Sequence, residues 1–145
     1  MFSTIIHPTD LTEACVSAQR AAHRLAKSLG AKLLVCYIAH PPLVASANQL
    51  TDPETNETRD ILQEVQAVQP PDPAVDCEVK IVMADRSASA KSLLGILEKI
   101  GCDLIVLGMH KRAGVAGWLG GSITEEVVRQ ANCAVLVVKQ QDEAS

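Results

Sequence analysis

Apolar positions along the chain change their spacing repeatedly, and each change predicts an element. Phe2-Ser-Thr-Ile-Ile-His7 reads as a strand, broken by Pro8-Thr-Asp10 before a helix for which Thr12 is the cap. Ala14, Ala18, Ala21, Ala22, Leu25 and Leu29 then recur at three- and four-residue steps, and Gly30 suits the stop that follows. Leu33-Leu-Val-Cys-Tyr-Ile38 is a nearly continuous apolar run, the pattern of a parallel strand covered on both faces, and His40-Pro-Pro42 ends it.

The pattern is weak from Leu43 to Leu50. Asp52-Pro53 then opens a helix whose stripe is Ile61, Leu62, Val65 and Val68, closed by Pro70-Pro-Asp-Pro73. Cys77-Glu-Val-Lys-Ile-Val-Met83 alternates apolar and charged residues at first, as an edge strand half open to solvent does. Ser87 or Ser89 caps a third helix with Ala90, Leu93, Leu94, Leu97 and Ile100 on its apolar face and Gly101 as its stop. Leu104-Ile-Val-Leu107 predicts a short central strand, Ile123, Val127, Val128 and Ala131 a fourth helix, and Cys133-Ala-Val-Leu-Val-Val138 a fifth strand. The segment from Lys139 to Ser145 reads as a polar, frayed tail.

Strands alternating with helices need crossovers between parallel strands, so the pattern predicts one three-layer α/β/α domain over residues 1–145 with a five-stranded parallel sheet. With strand order 3-2-1-4-5, the winding reverses between strands one and four. Ligands of open α/β sheets settle at that switch point, where the loop carrying Pro8, Thr9 and Asp10 meets the loop after strand four.

Composition narrows the function classes. The net charge is −4 and no dense basic run is present, which argues against nucleic acid as a partner. No apolar run approaches the roughly 18 residues of a membrane span, and the start lacks the order of a secretory signal, so a soluble, cytoplasmic protein is expected. Cys15, Cys36, Cys77, Cys102 and Cys133 contain no C-x-x-C pair and read mostly as small core residues. His7, His23, His40 and His110 are scattered, so the sequence gives little support to a metal site built from side chains alone.

The densest chemistry lies in Gly108-Met-His-Lys-Arg-Ala-Gly-Val-Ala-Gly-Trp-Leu-Gly-Gly-Ser122, which leads from the fourth strand into the fourth helix. Glycines at this density let several backbone N–H groups turn inward, and the helix starting at Ser122 adds its own unpaired amides and positive dipole end. An anion site is therefore favoured over a plain surface loop. Lys111 and Arg112 either steer phosphate or are merely solvated, and Trp118 either anchors the loop on the core, the favoured reading, or lies at an interface.

Three segments together resemble the universal stress protein family: Ile5-Ile-His-Pro-Thr-Asp-Leu-Thr-Glu13, Asp103-Leu-Ile-Val-Leu-Gly-Met-His110, and Gly121-Ser-Ile-Thr-Glu-Glu-Val-Val128 running into the fifth strand. Nucleotide-binding members of that family carry a glycine, two residues, a second glycine, nine residues, then glycine followed by serine or threonine. Gly108 matches the first position and Gly121-Ser122 the last pair, whereas Lys111 stands at the second glycine. The resemblance implies ATP or AMP as ligand, with Asp10 near the ribose, the Tyr37 backbone at the adenine, and Gly108, Gly121 and Ser122 at the phosphates. Pro8, Thr9, His110, Lys111 and Thr124 complete the candidate set, with magnesium held through water at Asp10. Competing structural roles are a cap for Asp10, packing for Tyr37 and helix-start hydroxyls for Ser122 and Thr124.

No G-x-x-x-x-G-K-[ST], no G-x-G-x-x-G after the first strand and no G-x-S-x-G is present, so P-loop, dinucleotide and serine-hydrolase chemistry lose their main support. The expected function is a nucleotide-dependent switch with at most slow ATP hydrolysis. A nucleotide-independent dimeric scaffold, with Lys111 blocking the phosphate position, is the alternative. Ala134–Val138 reads as an edge strand that pairs with its copy in a homodimer, as related proteins do, and a further protein partner is left unidentified.

Overall fold

The computed structural model describes residues 2–40, 56–85, 87–112 and 119–141. Five strands form one parallel sheet: β1 (Thr4–Thr9), β2 (Lys32–Ala39), β3 (Cys77–Met83), β4 (Leu104–Met109) and β5 (Ala134–Lys139). Their order is β3-β2-β1-β4-β5, the order expected for the fold. Four helices connect them among the described residues: α1 (Glu13–Leu29), α2 (Asn56–Val68), α3 (Ala90–Ile100) and α4 (Ser122–Gln130). The Asp52-Pro53 start expected for α2 and the anchoring role of Trp118 lie outside the described residues.

Each strand feeds both layers because its side chains alternate. Ile5, Leu33, Val35, Leu104 and Val106 pack with Ala18, Ala22 and Ala26 of α1 and Val65 of α2. Ile6, Leu34, Cys36, Ile38, Ile105 and Leu107 meet Leu93, Leu94 and Leu97 of α3 and Val127 of α4 on the other face. Leu93 and Leu97 are fully buried, and each contributes roughly 1.5–3 kcal/mol by leaving water. The alanine stripe of α1 lets that helix lie close to β1 and β4.

Helix ends follow the expected chemistry in part. Ser89 is the N-cap of α3, its hydroxyl accepting from Ser92 N at 3.3 Å, and Gly30 ends α1 with φ 64°. Thr12 occupies the N-cap position of α1 without capping it; its Oγ1 donates instead to Asp10 Oδ1 at 2.6 Å. Leu62 and Val128, expected on apolar faces, are 38% and 46% exposed, because the sheet covers only a narrow stripe of α2 and α4. Cys77 is exposed at the start of edge strand β3 rather than in the core. The expected tail starts too early: Lys139 belongs to β5, Gln140 N donates to Met109 O, and Gln141 N donates to Ser17 Oγ. No helix among the described residues is long and apolar enough to cross a membrane.

Candidate functional site

A single proline opens the sheet at its switch point. Lys32 N donates to Ser3 O, so odd-numbered backbone groups of β1 turn toward β2 and even-numbered ones toward β4. Pro8 therefore lies where an N–H should reach across to the Val106 carbonyl, and it has none. Pairing of β1 with β4 accordingly stops after Ile5↔Leu104 and Ile6↔Ile105, while pairing with β2 continues to Thr9↔Tyr37. The sequence reading ended the strand at His7. In fact β1 runs on through Pro8 and Thr9, and only its β4 side is broken.

The orphaned carbonyl is satisfied by the neighbouring side chain: His7 Nδ1 donates to Val106 O at 2.9 Å. This fixes the tautomer with hydrogen on Nδ1 and leaves Nε2 buried without a partner. Burial lowers the His7 pKa to about 4, against the Val106 bond that raises it. The imidazole is neutral at ordinary pH.

Asp10 ties the two loops at this crevice. Its Oδ1 accepts from Thr12 N at 3.1 Å, Thr12 Oγ1 at 2.6 Å and Cys15 Sγ at 3.3 Å, forming a turn at the head of α1. Its Oδ2 accepts from Leu119 N at 3.0 Å, across 109 positions of sequence. Burial pushes the carboxyl pKa up, but the Thr12 and Leu119 bonds outweigh it and hold Asp10 below its usual range. Between them, Leu11 takes φ 63°, a left-handed conformation that costs a non-glycine residue roughly 1–2 kcal/mol. Its N–H finds Thr9 Oγ1 at 3.0 Å, and its side chain packs on the α1 face of the core.

The β4–α4 side is held as tightly. A Cβ on Gly108 would lie inside van der Waals contact with the Ala14 carbonyl, so this glycine lets β4 approach α1. Thr124 is fully buried; its hydroxyl donates to Gly108 O at 3.1 Å and accepts from Gly120 N at 3.0 Å. Gly120 has φ 93°, and a Cβ there would meet the His110 ring at 2.7 Å. His110 N completes the turn by donating to Gly120 O at 2.9 Å. What remains open is the start of α4. Gly121 and Ser122 are exposed, and their N–H groups carry no hydrogen bond among the described residues.

Lys111, at the position of the second motif glycine, is exposed and donates its N–H to Gln140 Oε1 at 3.3 Å. Gln140 Nε2 in turn donates to Glu13 Oε2 at 2.7 Å. Tyr37 is half-buried at the end of β2, beside Thr9 in the ladder, and burial raises its phenol pKa.

The family model described as the universal stress protein family matches residues 1–139. The chain belongs to the universal stress protein family. It is 27% identical over 147 residues to Universal stress protein MJ0531 of Methanocaldococcus jannaschii, covering 97% of this chain and 84% of that protein. A universal stress protein solved in complex with cAMP superposes with TM-score 0.64 at 22% identity, covering 97% of this chain and 99% of that one. The universal stress protein from Archaeoglobus fulgidus in complex with dAMP superposes with TM-score 0.59 at 12% identity, covering 96% and 98%. At such identities the two structures establish the shared fold.

In this universal stress protein the structure brings Pro8, Thr9, Asp10, Gly108, His110, Gly121, Ser122 and Thr124 to one end of the β1–β4 crevice. Thr9, Asp10, Gly108 and Thr124 shape the site from inside, and Gly121 and Ser122 face outward. The loop between 113 and 118 lies outside the described residues. Sequence reasoning missed Leu119 and Gln140, whose partners become visible only in three dimensions. Thr124 could have been placed inside, since it precedes Val127 by three residues on the same helical face.

Proposed function

We propose that this universal stress protein binds an adenine nucleotide, ATP or AMP, in the crevice between β1 and β4 and acts as a nucleotide-dependent switch. The Asp10–Leu119 bond carries this reading. It draws both loops to one place, beside the Gly121 and Ser122 amides, which carry no hydrogen bond among the described residues, at the positive end of α4, where a phosphate group is favoured. The fold shared with structures holding cAMP and dAMP supports adenine as the base. Asp10 already accepts four hydrogen bonds, so any magnesium it serves would be reached through water. The reading assigns binding rather than turnover. We further place the protein in the cytoplasm as a homodimer paired through β5, an outer strand whose Leu136 is 40% exposed.

Calorimetric titration with ATP, AMP and cyclic AMP tests the binding step. Micromolar binding to at least one is expected, and no heat with any of them would overturn the reading.

One observation favours a second reading, a scaffold that takes no nucleotide. The Lys111 N–H that a glycine loop would aim at phosphate is held by Gln140. Lys111→Gly separates the two. Weaker ATP binding in the variant supports a phosphate-contacting lysine, whereas binding gained from none supports the scaffold.

A further inference from the structure

Two cysteines meet at the end of the sheet opposite the β1–β4 crevice. Cys102 lies two residues before β4 and Cys133 immediately before β5, and the parallel register pairs Leu104 with Ala134. The two positions are thus diagonal neighbours across one strand gap, which puts their Cα atoms roughly 5–6 Å apart, the usual span of a disulfide. Both side chains pack on the same face, against the core beneath α3 and α4.

Each cysteine also sits beside an anchored residue. The Asp103 carboxylate accepts from Ser3 N at 2.8 Å, Ser3 Oγ at 3.1 Å and Thr4 N at 3.0 Å, which pins the start of β4 to β1. Asn132 Nδ2 donates to Glu98 Oε1 at 3.1 Å, which pins the start of β5 to α3. The pair is held in place rather than brought together by chance motion. Both thiols are partly exposed, so a small oxidant can reach them, whereas Cys15 and Cys36 are buried and exposed Cys77 lies apart from this pair at the other edge of the sheet.

We propose that Cys102 and Cys133 are a dithiol modification site that hydroperoxides oxidise to a reversible disulfide. Burial, then the neighbouring Cys133, pushes the Cys102 thiol up to about 12, which disfavours Cys102 as the first sulfur to meet peroxide. With hydrogen peroxide, a sulfur–oxygen bond forms on Cys133 as the oxygen–oxygen bond breaks. The departing hydroxide takes the proton that Cys133 released and becomes water. The Cys102 sulfur then attacks the Cys133 sulfur, the sulfur–oxygen bond breaks, and hydroxide leaves with the Cys102 proton as a second water. Two electrons pass from the thiols to the peroxide, and a small-molecule thiol returns them.

The closed loop would contain β4, α4 and the connection between them, so oxidation clamps the unit that borders the crevice. Cross-linking a loop of this length should raise Tm by roughly 5–10 °C.

The full-length Cys77→Ser protein is reduced, treated with hydrogen peroxide, alkylated and digested for mass spectrometry. The expected result is a Cys102–Cys133 cross-linked peptide two hydrogen masses lighter than its parts, a raised Tm, and reversal of both by dithiothreitol. Cys102→Ser and Cys133→Ser, checked for an unchanged reduced Tm, should show neither. Peroxide that leaves both thiols alkylatable, or that carries Cys133 to sulfinic acid without a cross-link, overturns the proposal. The cross-linked peptide identifies the pair even if a serine variant fails to fold.

Discussion

Acid should weaken this fold through one buried imidazole. His7 is fully buried, and its pKa falls from 6.5 to about 4. The unfolded chain takes up a proton near pH 6.5 that the folded chain refuses until about pH 4. More protons bound in the unfolded state means stability that rises with pH. The His7 contribution is therefore whole above the unfolded pKa, is lost as pH falls, and is gone below the folded one. At about 1.36 kcal/mol per unit the full loss is about 3 kcal/mol, and about 2 kcal/mol of it falls between roughly pH 7.5 and pH 5.

His7→Asn isolates the effect, because its amide keeps an N–H donor near the Nδ1 position for Val106 O but does not titrate. Urea unfolding followed by far-ultraviolet circular dichroism at both pH values gives the four stabilities needed. The variant starts lower by about 1–2 kcal/mol for lost packing, and the gap to the parent should close by about 2 kcal/mol on acidification. His23, also lowered by burial, titrates in both proteins and cancels. A gap that stays constant from pH 7.5 to about 5 would refute the reasoning, since His7 would then bind its proton equally in both states. His7→Leu provides the contrast: with the Val106 carbonyl stranded beside Pro8, it should cost about 1–3 kcal/mol more than the packing loss alone.

Two smaller predictions concern the frame. Gly108→Ala drives a methyl into the Ala14 carbonyl, with no flexible side chain to give way, and should cost about 3 kcal/mol in chemical denaturation; a loss under about 1 kcal/mol would mean that α1 lifts freely. Ser89→Ala removes the acceptor for Ser92 N at the head of α3 and should lower stability by about 1 kcal/mol, with no change in the affinity for any nucleotide.

How much could be seen in advance depends on the range of the forces involved. The continuous apolar run of β2 and the alanine steps of α1 are local signals of burial on two faces and on one, and both elements formed where those signals lie. Exposure at Leu62 and Val128 was not legible, because periodicity gives the direction of a stripe but not how much of it a neighbouring layer covers. The proline is the instructive case. A lone Pro8 reads locally as a strand breaker, yet in a central strand it breaks only the ladder its missing N–H faces, and which side that is depends on register. The candidate site was legible as two loops at a switch point. Which amides the chain uses itself, and which stay open, rests on Leu119, Thr124 and Gln140 reaching partners far away in sequence.

At Asp10 the stability of the fold and the proposed binding depend on the same carboxylate. Asp10→Ala removes every acceptor at once, so it should loosen the turn at α1 together with the strap to Leu119, and a fall in nucleotide affinity would then be hard to separate from general loosening. Asp10→Asn divides the two. The amide oxygen can remain with the Thr12 donors, while the amide nitrogen, a donor, replaces the oxygen that accepts from Leu119 N. The turn survives and the strap fails, leaving the Leu119 N–H facing another donor. A hydrogen bond to a charged acceptor contributes about 1.5–3 kcal/mol. Melting should therefore show a smaller loss for the asparagine variant than for the alanine one, while ATP affinity should drop by about tenfold in both, a difference of about 1.4 kcal/mol. If Asp10→Asn is destabilised yet binds ATP as the parent does, the joining of the two loops is a matter of stability alone, and the crevice does not depend on it to hold a ligand.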